Sequence, residues 1–544
     1  MRIASAFLIS LLALAPAASA VRPEFWRLQT TADLLAGESE GVAITSAGQL
    51  LAGPSVTKIA GFNEPFVLSQ TTDGAGARFV GTGNEGRVYR LRGGEATQVF
   101  KAAEPEIYAL AFSRGSLFVG TSPHGRIYRV DPSSGRSSVF FDPEEAYIWA
   151  IVPLSDGSLA AGTGVDGRVW KITPDGKGSV LFDAPETHIR SLAASGTRIL
   201  AGGAGEGRIY ELGTSPGGRA LFDSDFSEIT AIWIDPSGTG WAAGVSSTLP
   251  SAAPPKPEGQ KQPQQPAQQP PKPEGGEQQP APSASPGQPS VDVSVSFDQP
   301  GAIAGGGSAE LYRVDRDGFV TTARKFEREM VYALAAGERE GSILIGTGPL
   351  GRIYRWSDGE LALAASVPEK QVVSLDTTSD GVVATTTNSG AVYRLGKTGE
   401  GKLEYRSQVK DTERFSTFGE FLIEGRGLTG VRSSFRSGNT ATPDETWSEW
   451  SGSTGPSGRV AAPGARYLQW RLTADRAPAA FEVVSMTAAY SNRNVAPVID
   501  SLSVNDPGVI FVSGSYPSSP QVLEATNPDE HGIFSGLDAP RERN

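Results

Sequence analysis

Gly81-Thr-Gly-Asn-Glu-Gly86-Arg-Val-Tyr89-Arg90 is the stretch on which the reading of this chain turns. It returns as Gly120-Thr-Ser-Pro-His-Gly125-Arg-Ile-Tyr128-Arg129. Further copies are Gly162…Gly167-Arg-Val-Trp170-Lys171, Gly202…Gly207-Arg-Ile-Tyr210-Glu211 and Gly346…Gly351-Arg-Ile-Tyr354-Arg355, with a worn copy ending Gly390-Ala-Val-Tyr393-Arg394. The aromatics fall at 89, 128, 170, 210, 312, 354 and 393, at intervals of 39, 42, 40, 102, 42 and 39. A fixed period near 40 marks a repeat architecture. The long interval holds an insertion. Gly244 aligns with the first position of the motif and Tyr312 with its aromatic, 68 residues apart where the other copies have 8, so 60 residues are extra.

Each unit reads as short strands. Ile107–Phe112, Ser116–Val119, Arg126–Val130 and Ser138–Phe141 are apolar runs separated by Gly, Pro, Asp and Ser. Four strands per 40 residues, with no helical segment, predict the blades of a β-propeller. Seven units lie near 64–101, 102–142, 143–183, 184–223, 224–326, 327–366 and 367–406. A half-unit, Gly41–Thr45 and Gln49–Ala52, supplies a closing strand or an eighth blade. The expected fold class is all-β: a seven-bladed (or eight-bladed) propeller over 21–406, followed by a β-sandwich over 407–498.

The Gly-Thr…Gly-Arg-Ile-Tyr-Arg hairpins resemble those of bacterial secreted propellers grouped with WD-repeat and two-component-regulator-type proteins. The resemblance covers about 340 residues. No unit ends in Trp-Asp or carries Gly-His, and Asp235-Pro-Ser-Gly-Thr-Gly-Trp241 misses the spacing of the sialidase box. The resemblance therefore implies a fold and not an activity.

Arg2, the apolar run Ala6–Ala15 and the small-x-small site Ala18-Ser-Ala20 read as a secretory signal peptide over 1–20, which predicts a secreted or periplasmic protein. That run is too short to span a bilayer, and no later one is longer, so no membrane insertion is expected after cleavage. There is no cysteine, which excludes disulfides and thiol catalysis. Formal charge is −12, or −13 without Arg2. That balance argues against nucleic acid and against anionic lipid as partners.

Residues 250–289 hold 13 prolines among Gln, Glu, Lys, Ser and Ala. Such a segment buries too little apolar surface to offset its ordering entropy, so a disordered Pro/Gln-rich loop is expected over 245–304. The plainer reading is a loop expansion tolerated at a blade tip; the alternative is a spacer or a ligand for a Pro-binding partner.

Beyond Tyr405 the period stops. Phe418–Ile423, Gly430–Phe435, Thr446–Trp450, Arg466–Leu472 and Phe481–Tyr490 read as strands of a sandwich, jelly-roll or fibronectin-like. In Arg466–Leu472, Tyr467, Gln469 and Arg471 face one way, Leu468, Trp470 and Leu472 the other. Trp447-Ser-Glu-Trp450-Ser451 matches the Trp-Ser-x-Trp-Ser box of cytokine-receptor domains, where tryptophans interleave with arginines; Arg432 and Arg436 are placed to do the same. Trp447, Trp450 and Trp470 are also candidates for a sugar-stacking platform, with core packing the plainer reading. After Pro497 a Gly-, Pro- and Ser-rich stretch predicts a loosely ordered tail over 499–544.

No catalytic set emerges. Three literal Gly-x-Gly-x-x-Gly matches are each followed by a strand, where pyrophosphate binding needs a helix. His124, His188 and His531 lack metal-ligand spacing, and no Gly-x-Ser-x-Gly elbow occurs. Neither a cofactor nor a metal is expected. Glu85, Asp166 and Glu206 hold equivalent loop positions, so they either converge as an acidic rim or stand as solvated turn residues, the plainer reading. These observations predict a non-catalytic scaffold that binds a protein or polysaccharide partner through a propeller face. The alternative is a lactonase, lyase or glycosidase with its site in the central channel. The sequence sets no oligomeric state.

Overall fold

The computed structural model describes residues 22–246, 307–378, 381–453 and 455–493, with the backbone of Val509–Val512 and Gln521–Glu524. The expected signal peptide, nearly all of the insertion and most of the tail lie outside the described residues. Two compact units are distinguished: Arg22–Asn492, and Met1–Val21 with Arg493–Asn544. In the second, Val509–Val512 and Gln521–Glu524 pair as an antiparallel hairpin.

The larger unit carries a β-propeller. Its strands group into seven antiparallel four-stranded units among the described residues: blade one over 67–101, two over 106–145, three over 147–183, four over 188–223, five over 228–326, six over 330–366, and seven over 371–398 with Pro54–Gly61. The innermost strand of each blade touches that of the next, and blade seven touches blade one, which closes the circuit. The second strands are small and apolar because a blade covers each face: every residue of Arg78–Thr82, Ser116–Ser122 and Leu159–Gly164 is buried. The outermost strands, such as Glu95–Lys101, are largely exposed.

The motif glycines set the spacing between blades. A Cβ on Gly81 would stand 2.6 Å from the Ile107 side chain of blade two, and one on Gly120 2.5 Å from Ile148 of blade three. Gly162 meets Ile189, Gly202 meets Ile229 and Gly346 meets Val372 in the same way. These positions need glycine for space. The second glycine needs it for conformation too. Gly86, Gly167, Gly207 and Gly351 have φ between 58° and 66°, and a Cβ there would overlap a backbone carbonyl of the next blade.

Three expectations change. First, blade seven does not use 403–406 as its outer strand. Pro54–Gly61 takes that place, pairing Tyr393 with Lys58 and Leu395 with Val56. Leu403–Arg406 is drawn instead into the C-terminal sheets, where Tyr405 is fully buried against Trp470 at 5.6 Å and donates to the Leu34 carbonyl at 3.0 Å. Second, the half-unit is not an eighth blade. Val42–Thr45 adds to the last strand of blade six, and Leu50–Ala52 pairs with Glu482–Asn492, so blade six runs on into the C-terminal sheets. Third, the blade-five alignment shifts by one. Ala242 opposes Tyr312 as Val80 opposes Tyr89, so Ala243, not Gly244, holds the first motif position. From Ala243 to Tyr312 is 69 residues, which makes 61 extra.

The C-terminal region builds two antiparallel sheets that share one long strand. Lys410–Arg426 pairs first with Ala465–Ala474, turns at Glu413 (φ 65°), and then pairs with Glu482–Asn492. The chain's first strands join them, Glu24–Leu28 beside Glu482–Asn492 and Glu38–Glu40 beside Leu403–Arg406. Trp26, Tyr405, Phe421, Phe435, Trp470 and Met486 are buried in one cluster that continues into blade six through Ile345 and Leu363. Thr446–Trp450, expected as a strand, is turn and coil. Its serines explain this: the hydroxyls of Ser448 and Ser451 accept from the amides of Ser437 and Phe435, replacing carbonyls that a strand ladder would supply.

Gly390→Val tests the closing seam between blades seven and one. Its Cβ would stand 2.5 Å from the Glu64 carbonyl. It should lower stability by about 1–3 kcal/mol in urea unfolding, whereas Gly213→Ala, with open space around it, should stay within about 0.5 kcal/mol of the parent.

Candidate functional site

The motif's arginine and aromatic serve the fold. In six blades a buried glutamate just before the innermost strand accepts from the aromatic: Glu64 from Tyr89, Glu104 from Tyr128, Glu145 from Trp170, Glu186 from Tyr210, Glu329 from Tyr354 and Glu369 from Tyr393. The motif arginine joins in four of them, closest as Arg87–Glu64 at 2.6 Å and Arg352–Glu329 at 2.7 Å. Burial pushes the Glu64 carboxyl up, but bonds from Arg87 and Tyr89 outweigh it and hold the group below its ordinary value. Blade five replaces both partners at once. Phe226 stands where the glutamate would be and Glu310 where the arginine would be, and Glu310 pairs with Lys325. The two changes go together: with no glutamate to hold an arginine, the position carries a carboxylate with a lysine partner of its own. The signal for these glutamates lies in the sequence, 24 or 25 residues before each aromatic.

The sequence-derived candidates are placed differently. Glu85 pairs with Arg87 at 3.2 Å and Lys101 at 3.1 Å, Asp166 with Arg168 at 2.9 Å, and Glu206 with Arg208 at 3.6 Å. Each is taken up by its own hairpin, and no group of three metal-competent side chains occurs among the described residues. Trp470 lies in the core, 1% exposed. Trp447 is buried and donates its Nε1–H to Thr440. Arg436 lies over Trp447 and Trp450, and Arg471 over Trp450 at 4.5 Å. The interleaving expected of Arg432 and Arg436 is thus made by Arg436 and Arg471, while Arg432 pairs with Asp475. The three tryptophans do not assemble into a sugar platform: guanidinium groups cover Trp450, and Trp470 faces the opposite side of its strand.

A different site stands at the propeller axis. The innermost strands begin at Val67, which follows a bridge at Phe66, and at Glu106, Tyr147, His188, Glu228, Met330 and Gln371. Within their first three residues all of them break register, at or beside Leu68, Tyr108, Trp149, Arg190, Thr230, Tyr332 and Val373. A bulge re-aims the side chain it carries. Here the re-aimed side chains meet across blades. Tyr108 of blade two lies 4.6 Å from Trp149 of blade three, and Arg190 of blade four reaches both, 4.3 Å over Trp149 and 5.6 Å from Tyr108. A contact that skips a blade requires side chains pointing at the axis. Tyr147 stacks on Trp149 at 4.8 Å, His188 meets both edge-on, and Arg190 pairs with Glu228 of blade five at 2.9 Å. On the far side Gln371 donates to the Tyr332 hydroxyl. All these side chains are half-buried.

The mouth carries costs that a core would avoid. Trp149 Nε1 and His188 Nδ1 are buried without a hydrogen-bond partner among the described residues, each worth about 1–3 kcal/mol of desolvation. Burial, then the Arg190 charge, holds the His188 imidazole below its ordinary value. Burial raises the Glu106 carboxyl against the pull of Tyr108 and Arg190, and burial raises Tyr108 and Tyr332. Glu228 is engaged by Arg190.

No family model matches the chain, and no curated protein does. Similar solved structures include the WD40 propeller domain of Doa1 (12% identity, 62% of this chain and 97% of that one, TM-score 0.43) and streptogramin B lyase (11%, 63% and 98%, 0.44). YCF48 bound to D1 peptide is another (10%, 64% and 96%, 0.43). At these identities the likeness is one of fold.

The Glu64 clasp has a pH signature. Its carboxyl is held below the unfolded value of about 4.5, so its contribution is present above that pH and is lost as pH falls through the folded value. Glu64→Gln should flatten the fall of the unfolding midpoint with pH below about 4.5. An unchanged slope would remove Glu64 from the account.

Proposed function

We propose that this protein is a secreted or periplasmic, non-catalytic propeller scaffold that binds a protein partner at the face carrying the axial mouth. The observation that supports it most is the mouth itself. Register breaks present Tyr108, Trp149 and Arg190 of three successive blades to one another, and the group gathered there is half-exposed, aromatic and charged. Aromatic residues and arginine are the types that dominate binding energy at protein interfaces. The C-terminal sheets act in this reading as an accessory β-sandwich over 407–498, fused to blade six. Residues 1–20 are a signal peptide removed on export, and the insertion in the fifth blade is a tolerated loop expansion that begins after Ser246, because Val245 and Ser246, expected in it, pair with Ala309 and Ser308. In the mouth Glu228 is engaged by Arg190 and His188 Nδ1 is buried, which weighs against a channel enzyme.

Affinity capture from an envelope extract of the native organism tests this, with residues 21–544 as bait. A matched bait carries Glu106→Lys and Tyr147→Ala, and a third lacks 250–297. A stoichiometric protein retained by the first and third baits and lost by the second is expected. Retention by all three would move the contact away from the mouth. Retention of polysaccharide alone would replace the protein partner with a glycan.

A further inference from the structure

Among the fourteen inner-strand positions of the mouth, Arg190 is the only guanidinium. It is held on three sides. Its Nε donates to Glu228 Oε1 at 2.9 Å, its plane lies 4.3 Å over Trp149, and Tyr108 borders it at 5.6 Å. Trp149 is itself fixed by parallel Tyr147 and edge-on His188. The two Nη groups of Arg190 bond nothing among the described residues, and its side chain remains 29% exposed. Two other arginines of the propeller are fully engaged. Arg198 spends its Nε on Glu211 and both Nη groups on the carbonyls of Gly238 and Asp315. Arg352 is engaged by Glu329 and Tyr354.

A guanidinium pinned through Nε and through its face keeps its Nη donors in a fixed direction, at no further ordering cost. That fork matches a carboxylate. We propose that Arg190 is the receptor for a carboxylate that a protein partner inserts into the axial mouth. The inference rests on the protein-binding reading of this face. Charge ranks a monoanion above a dianion. The titratable groups that face Arg190 are Glu106, Glu228, His188, Tyr108 and Tyr332. Two carboxylates already oppose one guanidinium, so a phosphate dianion would be penalised more than a carboxylate. A cationic guest finds the aromatic faces around Trp149 already taken by Arg190 and Tyr147. The carboxylate comes from an acidic side chain or from a chain terminus, and Glu106 sets a repulsive limit on either.

The chain has three histidines, His124, His188 and His531, so His188 is a clean reporter. Residues 21–544 labelled with ¹³C-histidine would be followed by NMR, with the His188 signal assigned by its loss in His188→Gln. The probes are N-acetylglutamate α-amide for a side-chain carboxylate, N-acetylalanine for a terminal one, N-acetylglutamine amide as the neutral control, inorganic phosphate and methylammonium, each to about 20 mM, where millimolar binding would register. Either carboxylate should shift His188 saturably and raise its titration midpoint, because an anion on Arg190 cancels part of the field acting on the imidazole. The stronger of the two identifies the source. Arg190→Gln should abolish the response, Arg190→Lys should weaken it several-fold, and Glu106→Gln should strengthen it. A silent His188, a response retained in Arg190→Gln, or a stronger response to phosphate, methylammonium or the neutral amide would overturn the proposal. If the envelope partner is still captured while His188 stays silent, the scaffold reading survives and the carboxylate receptor alone fails.

Discussion

Neighbouring blades of this protein approach each other across a gap too narrow for a β-carbon. At Gly81, Gly120, Gly162, Gly202 and Gly346 a β-branched side chain of the next blade fills the space where a Cβ would stand. At Gly86, Gly167, Gly207 and Gly351 it is a backbone carbonyl. Close packing of this kind fixes the angle between blades, and the angle fixes how many close a ring. Buried glutamates reinforce the seams where they occur: the Glu64 backbone packs on Gly390 of blade seven while its carboxylate holds Arg87 and Tyr89 of its own blade. Blade five departs at the glutamate, at the arginine and at the first glycine, with Phe226, Glu310 and Ala243. It is also the blade whose hairpin carries the insertion.

Ring closure depends on strands far apart in sequence. Pro54–Gly61 completes blade seven, and the hairpin that precedes it runs from blade six into the C-terminal sheets. The chain therefore closes its ring and fuses its second module in one passage of about 20 residues. The shared cluster from Trp470 to Ile345 gives that junction a hydrophobic interior.

What repeats was legible and what does not repeat was hidden. Gly-Arg-Ile-Tyr recurs because every seam has the same geometry, so the blades could be read from it. The glutamates were missed although their spacing to the aromatics is regular, since they lie across two strands and in turns of varying composition. Pro54–Gly61 carries no motif, because an outer strand makes no seam, and Leu403–Arg406 looked equally suitable. The blade-five register slipped because Ala243 replaces the expected glycine beside a real one, Gly244. The axial mouth left no repeated signature at all: its bulge positions read Leu68, Tyr108, Trp149, Arg190, Thr230, Tyr332 and Val373. The backbone device recurs in every blade, while the side chain it presents differs each time. That is the pattern expected where one scaffold position is freed to build a site.

A disulfide trap tests the closed ring most directly. The chain has no cysteine, so Thr57→Cys with Arg394→Cys would introduce the only two thiols, at exposed positions paired in register. Opposed residues of an antiparallel ladder lie within disulfide reach. Oxidation should give an intramolecular bond in nearly all molecules and raise stability by about 2–4 kcal/mol. If Arg394→Cys instead cross-linked to a cysteine at Glu404, blade seven would be closed by the chain's own next strand, and the account of the ring would be wrong.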